Sequence, residues 1–159
     1  MSDVHLKTYI DDHLAFVVGE CELVQRCLAS NKDGEMAADL KQLQTDLENE
    51  LTILRDVLQR VGGSESGIKQ GAAWLAEKVG RLKPNNEILH YSDLSRLVEL
   101  DALTLAAQGR RVFWQNLATA RSDDGRLMAI DMAARLVLAE RHVEMLGGQL
   151  ESAAKKAIR

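Results

Sequence analysis

Four residues of this chain have the side chains that hold metal ions and stand where ligands would have to stand: His13, Glu20, Glu50 and Asp101. Each falls within a stripe of apolar residues recurring at three- and four-residue steps, the period of one helix face. His13 and Glu20 lie among Leu6, Phe16, Val17 and Val24. Glu50 lies close to Leu43, Leu47 and Leu54. Asp101 and Gln108 share a face with Leu94, Leu105 and Val112. A fourth stripe, through Met132, Leu136, Ala139, Val143, Leu146, Leu150 and Ala153, is apolar throughout, with Asp131, Glu140 and His142 at its flanks. A charge buried without a partner is very costly, so these residues are expected to meet one another or a cation. Pairing two helices about a turn near Lys32 sets His13 level with Glu50.

The metal such a set would take is a single ion of iron, manganese or zinc. Di-iron bundles need a Glu from each of two helices and a Glu-x-x-His from each of the other two. Here Ile53 stands three residues after Glu50 and Val143 three after Glu140. Glu140 and His142 are two apart and do not share a helix face. The incomplete ligand set favours a hydrogen-bonded network around His13, Glu20, Glu50 and Asp101 over a metal centre.

Other residues suggest less. Lys78, Arg81 and Lys83 could bind a small anion, although cations near a helix C-terminus also simply complement its dipole. Trp74 and Trp114 read as packing anchors, and Arg110-Arg111 as solvated or ion-paired surface. No Gly-rich phosphate loop, nucleophile elbow or catalytic triad signature is present. Cys21 and Cys27, six apart on one helix, match neither a redox pair nor a zinc spacing and read as reduced core residues. The net charge of −4 disfavours nucleic acid as a partner. The first residues, Met1 to Leu6, lack a basic region followed by an apolar run, and no stretch reaches membrane-spanning length. The expectation is a cytoplasmic protein that binds neither nucleic acid nor membrane.

The elements that must position these residues are helices. Hydrophobic residues make up 46% of the 159, charged residues 28%, and proline occurs once, at Pro84. That balance predicts one globular, all-α domain over residues 1–159. The first helix is expected over about Asp3–Ser30 and the second over about Glu35–Val61, ended by Gly62-Gly63. The connection Gly63–His90 is too long for a plain loop and predicts a short helix over about Ser66–Leu82. The third helix starts behind Ser92 and runs to about Arg121; the fourth covers about Arg126–Ala157. Two antiparallel hairpins joined by one long crossover make a ferritin-like four-helix bundle.

Three blocks carry a family resemblance: Tyr9-Ile10-Asp11-Asp12-His13-Leu14-Ala15, Ala73-Trp74-Leu75-Ala76-Glu77-Lys78-Val79-Gly80-Arg81-Leu82-Lys83-Pro84-Asn85, and Tyr91-Ser92-Asp93-Leu94-Ser95-Arg96-Leu97-Val98-Glu99-Leu100-Asp101, continuing towards Gly109 and Trp114. Together they resemble a bacterial family of ferritin-like four-helix bundles found alone or fused to PfpI-like domains. Asp93 stands where that family's pattern has proline and Arg111 where it has lysine. The resemblance implies the fold and assigns no biochemical role, and the absence of both Glu-x-x-His motifs speaks against di-iron chemistry. It also suggests that Tyr9, Asp12, Trp74, Arg81, Tyr91, Ser92, Arg96 and Glu99 form one patch docking the short helix. A wide apolar face through Leu100, Leu103, Ala107 and Trp114 would cover that crossover or a second subunit. The function expected is association, either with a second copy as a dimer or with a protein partner; the alternatives are a degenerate metal-binding or stress-related redox protein and a binder of small anionic ligands.

Overall fold

A computed structural model of the chain describes residues 3–65 and 91–159. These form four helices: α1 (Asp3–Ser30), α2 (Ala37–Arg60), α3 (Asp93–Ala120) and α4 (Met132–Ala157), with no strand among the described residues. The short helix expected over Ser66–Leu82 falls outside them. No described helix is long and apolar enough to cross a membrane.

Local chemistry sets the helix ends. Ser92 caps α3: its hydroxyl accepts from the Ser95 N–H at 3.1 Å. Gly62 ends α2 with a φ of 73°. Its N–H reaches the Gln59 carbonyl, and the Gly63 N–H reaches that of Leu58, both at 2.9 Å. These are the paired bonds of a Schellman motif, which needs a left-handed residue at that point. α4 begins at Met132, where its apolar stripe starts, and later than the expected start near Arg126. Residues 121–131 instead make successive three-residue turn bonds, and Asp131 caps the helix by accepting from the Ala134 N–H at 2.8 Å. Asp124 holds the preceding turn, accepting from both the backbone N–H and the guanidinium of Arg126.

One core cluster draws on all four helices, from Leu6, Ile10, Leu14 and Val17 in α1 to Leu146 and Ala153 in α4. α3 departs from one expectation. It has two apolar faces, and the one that turns inward carries Leu97, Leu100, Leu103, Ala107, Trp114 and Leu117. Leu94, Leu105 and Val112 lie outside, and Asp101 with them. The inward face is the one that holds the large Phe113 and Trp114 side chains, and burying these removes the most apolar area from water.

α1 packs against α2 and α3, and α3 against α4. Cross-helix pairs give the directions. Along α1, Asp3, Tyr9, Glu20 and Arg26 meet Arg126, Asn116, Arg110 and Glu99 in turn. Along α2, Asp39, Asp46 and Glu50 meet Gln149, His142 and Arg135. In both series one number rises as the other falls, so each pair of helices is antiparallel.

Gly62→Ala forces a left-handed φ on a residue with a Cβ and is expected to cost about 1–2 kcal/mol. Urea unfolding checks it; an unchanged midpoint would mean that the Schellman turn does not hold the end of α2.

Candidate functional site

Glu20 and Glu50 are buried, each within its stripe: Glu20 between Val17 and Val24, Glu50 between Leu47 and Leu54. The group between the helices is Arg110 of α3, only 1% exposed. Its Nε donates to Glu20 Oε2 at 2.9 Å and its Nη2 to Glu20 Oε1 at 3.1 Å. This is the two-pronged guanidinium–carboxylate pair, the strongest geometry for such a contact. Its third arm, Nη1, donates to His142 Nδ1 at 3.1 Å. A guanidinium only donates, so His142 Nδ1 must be the acceptor and its proton sits on Nε2. That N–H donates to Asp46 Oδ2 at 2.9 Å. The chain Glu20–Arg110–His142–Asp46 thus visits all four helices.

Glu50 is satisfied separately. The Trp114 indole N–H donates to its Oε1, and Arg135 lies 3.9 Å from its Oε2. Burial pushes the Glu20 and Glu50 carboxyls upward, while Arg110 pulls both back. Burial and Arg110 together hold the His142 imidazole below the usual histidine range, against Asp46.

His13 does not join this chain. Its ring stacks on Phe113, with centroids 3.8 Å apart and planes 3° from parallel, and its buried Nε2 has no hydrogen-bond partner. Burial and the charge of Arg110 hold it down to about 3. Asp101 is exposed. The expected grouping of His13, Glu20, Glu50 and Asp101 therefore reduces to Glu20 forked on Arg110 and Glu50 held by Trp114, with Arg135 nearby. Among the described residues no three His, Cys, Asp or Glu side chains are placed to hold a metal ion. Glu20 gives both carboxylate oxygens to Arg110, so this donor set does not fit iron, manganese or zinc.

The expected polar-aromatic patch divides in two. Tyr91, Ser92, Arg96 and Glu99 gather at the start of α3 around Asn31. Asn31 donates to the Tyr91 hydroxyl at 3.0 Å and accepts from Arg96 Nε at 2.9 Å. The Tyr91 hydroxyl donates to Glu99 at 2.9 Å, and Arg26 holds the other Glu99 oxygen at 3.0 Å. Tyr9 lies elsewhere, accepting from Asn116 and 5.2 Å from the Phe113 ring. It precedes Arg26 by 17 residues on α1, about 25 Å along the helix. Asp12 is exposed. Trp74, Lys78, Arg81 and Lys83, and with them the anion site, lie outside the described residues.

Arg110, His142, Asp46 and Asn31 were not expected as site residues. Arg110 follows Ala107 by three and precedes Trp114 by four, so it belongs to the inward stripe, but the Arg110-Arg111 doublet reads as surface. His142 fits the fourth stripe in the same way, between Ala139 and Leu146. Cys21 and Cys27 are free and buried, and burial pushes both thiols up to about 12, so neither is a nucleophile at neutral pH. Comparison with family models, with curated proteins and with solved structures found no match.

Arg110→Met leaves Glu20 buried without its partner and is expected to cost about 3–5 kcal/mol. Adding Glu20→Leu should recover most of that loss. Unfolding free energies of the two single variants and the double variant check this; strict additivity would mean the pair is not coupled.

His13 gives a pH signature. Its folded value of about 3 lies below the ordinary 6.5, so the unfolded chain binds the extra proton first. Stability falls as pH drops below about 6.5, by about 2 kcal/mol at pH 5 at ~1.36 kcal/mol per unit. His13→Phe, which keeps the stacking, should remove that part of the acid slope. Denaturant titrations at pH 7 and pH 5 check it, and equal slopes in the two proteins would refute the assignment.

Proposed function

We propose that this chain is a ferritin-like four-helix bundle that acts by associating with a second copy of itself, with an arginine where a ferritin centre holds its metal. The observation that carries this reading is the Arg110 guanidinium, forked onto Glu20 and acting on Glu50. Two buried carboxylates on facing helices need a cation between them. A permanently charged arginine supplies it without any metal, and without an open coordination position for chemistry.

The helix directions support the ferritin-like part. If α1 opposes both α2 and α3, then α2 and α3 run the same way. α2 ends beside Lys7, near the start of α1, while α3 starts beside Asn31, at the far end. The end of α2 and the start of α3 thus lie at opposite ends of the bundle, the arrangement of folds built from two hairpins joined by a crossover. The three sequence blocks similar to the bacterial ferritin-like family point the same way. Two free thiols and no candidate membrane span among the described residues suit a cytoplasmic protein.

Association is supported by the outer face of α3. Leu94, Leu105 and Val112 are 48%, 73% and 44% exposed. Their spacings of 11 and 7 residues return to one helix face within about 20° at ~100° per residue. A second copy seated on this face would take the row out of water.

Solution mass measurement tests the reading. A dimer that Leu105→Asp converts to a folded monomer is expected; a monomeric parent chain overturns it. Elemental analysis after supplementation with iron, manganese and zinc is expected to find no stoichiometric metal, and a bound equivalent would reject the arginine-filled centre.

A further inference from the structure

His142 stands in α4 between two charged neighbours that act on it in opposite senses. Arg110 of α3 donates to its Nδ1 at 3.1 Å, and Asp46 of α2 accepts from its Nε2 at 2.9 Å. Behind Arg110 lies Glu20 of α1. Glu50 of α2 is the other buried carboxylate within reach of Arg110, with Arg135 beside it. Arg141 is the remaining cation that acts on the imidazole from α4 itself.

With His142 neutral, each nitrogen of Arg110 and of His142 has a hydrogen-bond partner in this chain. A proton on Nδ1 destroys that order at one contact only. Two N–H groups would then face each other across the Arg110–His142 gap, one on a guanidinium and one on an imidazolium. Each cation also has a carboxylate of its own: Arg110 has Glu20 on α1, and His142 has Asp46 on α2. The repulsion is relieved by each withdrawing towards its own anion.

We propose that His142 is an acid-operated latch on the seam between α3 and α4, which opens at mid-length when Nδ1 takes a proton. The Glu20–Arg110 and His142–Asp46 bonds persist, so the bundle loosens along one seam without unfolding. Besides His142, α4 fully buries only Ala139, Leu146 and Ala153, while Leu136, Val143 and Leu150 pack half-buried against the core. Burial and Arg110 hold the imidazole below its ordinary range, so the latch stays shut at neutral pH and opens in acid.

Hydrogen exchange on the full-length chain tests this, comparing pH 7.5 with pH 5 after correction for the intrinsic rate. His13→Phe is the background, so that the second buried imidazole contributes nothing. His142→Gln is the comparison, because a glutamine amide can accept from Arg110 and donate to Asp46 but takes up no proton. Severalfold greater loss of protection in the middle of α3 and α4 is expected with His142 in place than in the His142→Gln variant; equal losses overturn the proposal. An imidazole that titrates at or above about 6.5 by NMR overturns it as well. Should His142→Gln fail to fold, Asp46→Asn carries the test. Asp46 is partly exposed, and its charge is what favours the imidazolium. Its loss should move the opening to lower pH, and an unchanged or higher midpoint refutes the latch.

Discussion

The Glu20–Arg110 pair is the interaction on which the rest of this bundle depends. Both side chains are almost wholly out of water, 0% and 1% exposed. Removing two such ions from solvent costs several kcal/mol each, and only close, two-pronged contact offsets it. The pair therefore imposes a demand on its surroundings as much as it supplies stability. Arg110 has donors beyond the two that Glu20 accepts, and the third arm must end on an acceptor. His142 Nδ1 is that acceptor, and the consequence runs outward. The imidazole is restricted to one tautomer, its remaining N–H needs Asp46, and Asp46 reaches towards water. One buried cation thereby dictates a residue type on each of the other three helices.

The aromatic side of the centre follows the same logic. Trp114 is fully buried, so its indole N–H requires an acceptor, and Glu50 provides one. Glu50 in turn is a buried carboxylate that needs positive charge, and Arg110 and Arg135 supply it. His13 is the exception. Its ring packs as an aromatic between Phe16 and Phe113, while its Nε2 finds no partner. An imidazole in that position behaves as a flat apolar surface, and its polar atom is a cost offset by stacking.

Much of this was legible in the sequence. The three- and four-residue spacing of Leu6, Ile10, Leu14 and Val17, and of Leu40, Leu43 and Leu47, is the core itself. Glu20 and Glu50 were legible as polar residues within apolar stripes, because a stripe is a statement about which side chains are buried. The partner was not legible, for a physical reason. A long side chain beside a second arginine has the pattern of a solvated surface, and only tertiary packing shows which of the two turns inward. α3 was ambiguous in another way. Its outer row of Leu94, Leu105 and Val112 has the same period as its inner row. Asp101 belongs to the outer row and would be buried only if that row faced the core, and the choice rested with Phe113 and Trp114. The start of α4 was obscured by turn chemistry, since Asp124 and Asp131 are both good caps and the turn bonds of residues 121–131 favour the later one.

The polar chain also answers a question that the apolar stripes leave open. Leucines repeating every three or four residues look nearly the same to a partner helix after a shift of one turn, about 5.4 Å. Hydrophobic burial alone therefore discriminates weakly among registers. Sliding α1 one turn along α3 would part Glu20 from Arg110, leave two buried charges unpaired and cost about 3–5 kcal/mol. Sliding α4 would part His142 from both Arg110 and Asp46. Since native stability is commonly about 5–15 kcal/mol in total, a misregister of either kind consumes a large share of it. The leucines make the four helices stick; the Glu20–Arg110–His142–Asp46 chain decides where along their lengths they do so. A metal ion in the same place would impose a similar register, but only once bound. The arginine imposes it as the chain folds.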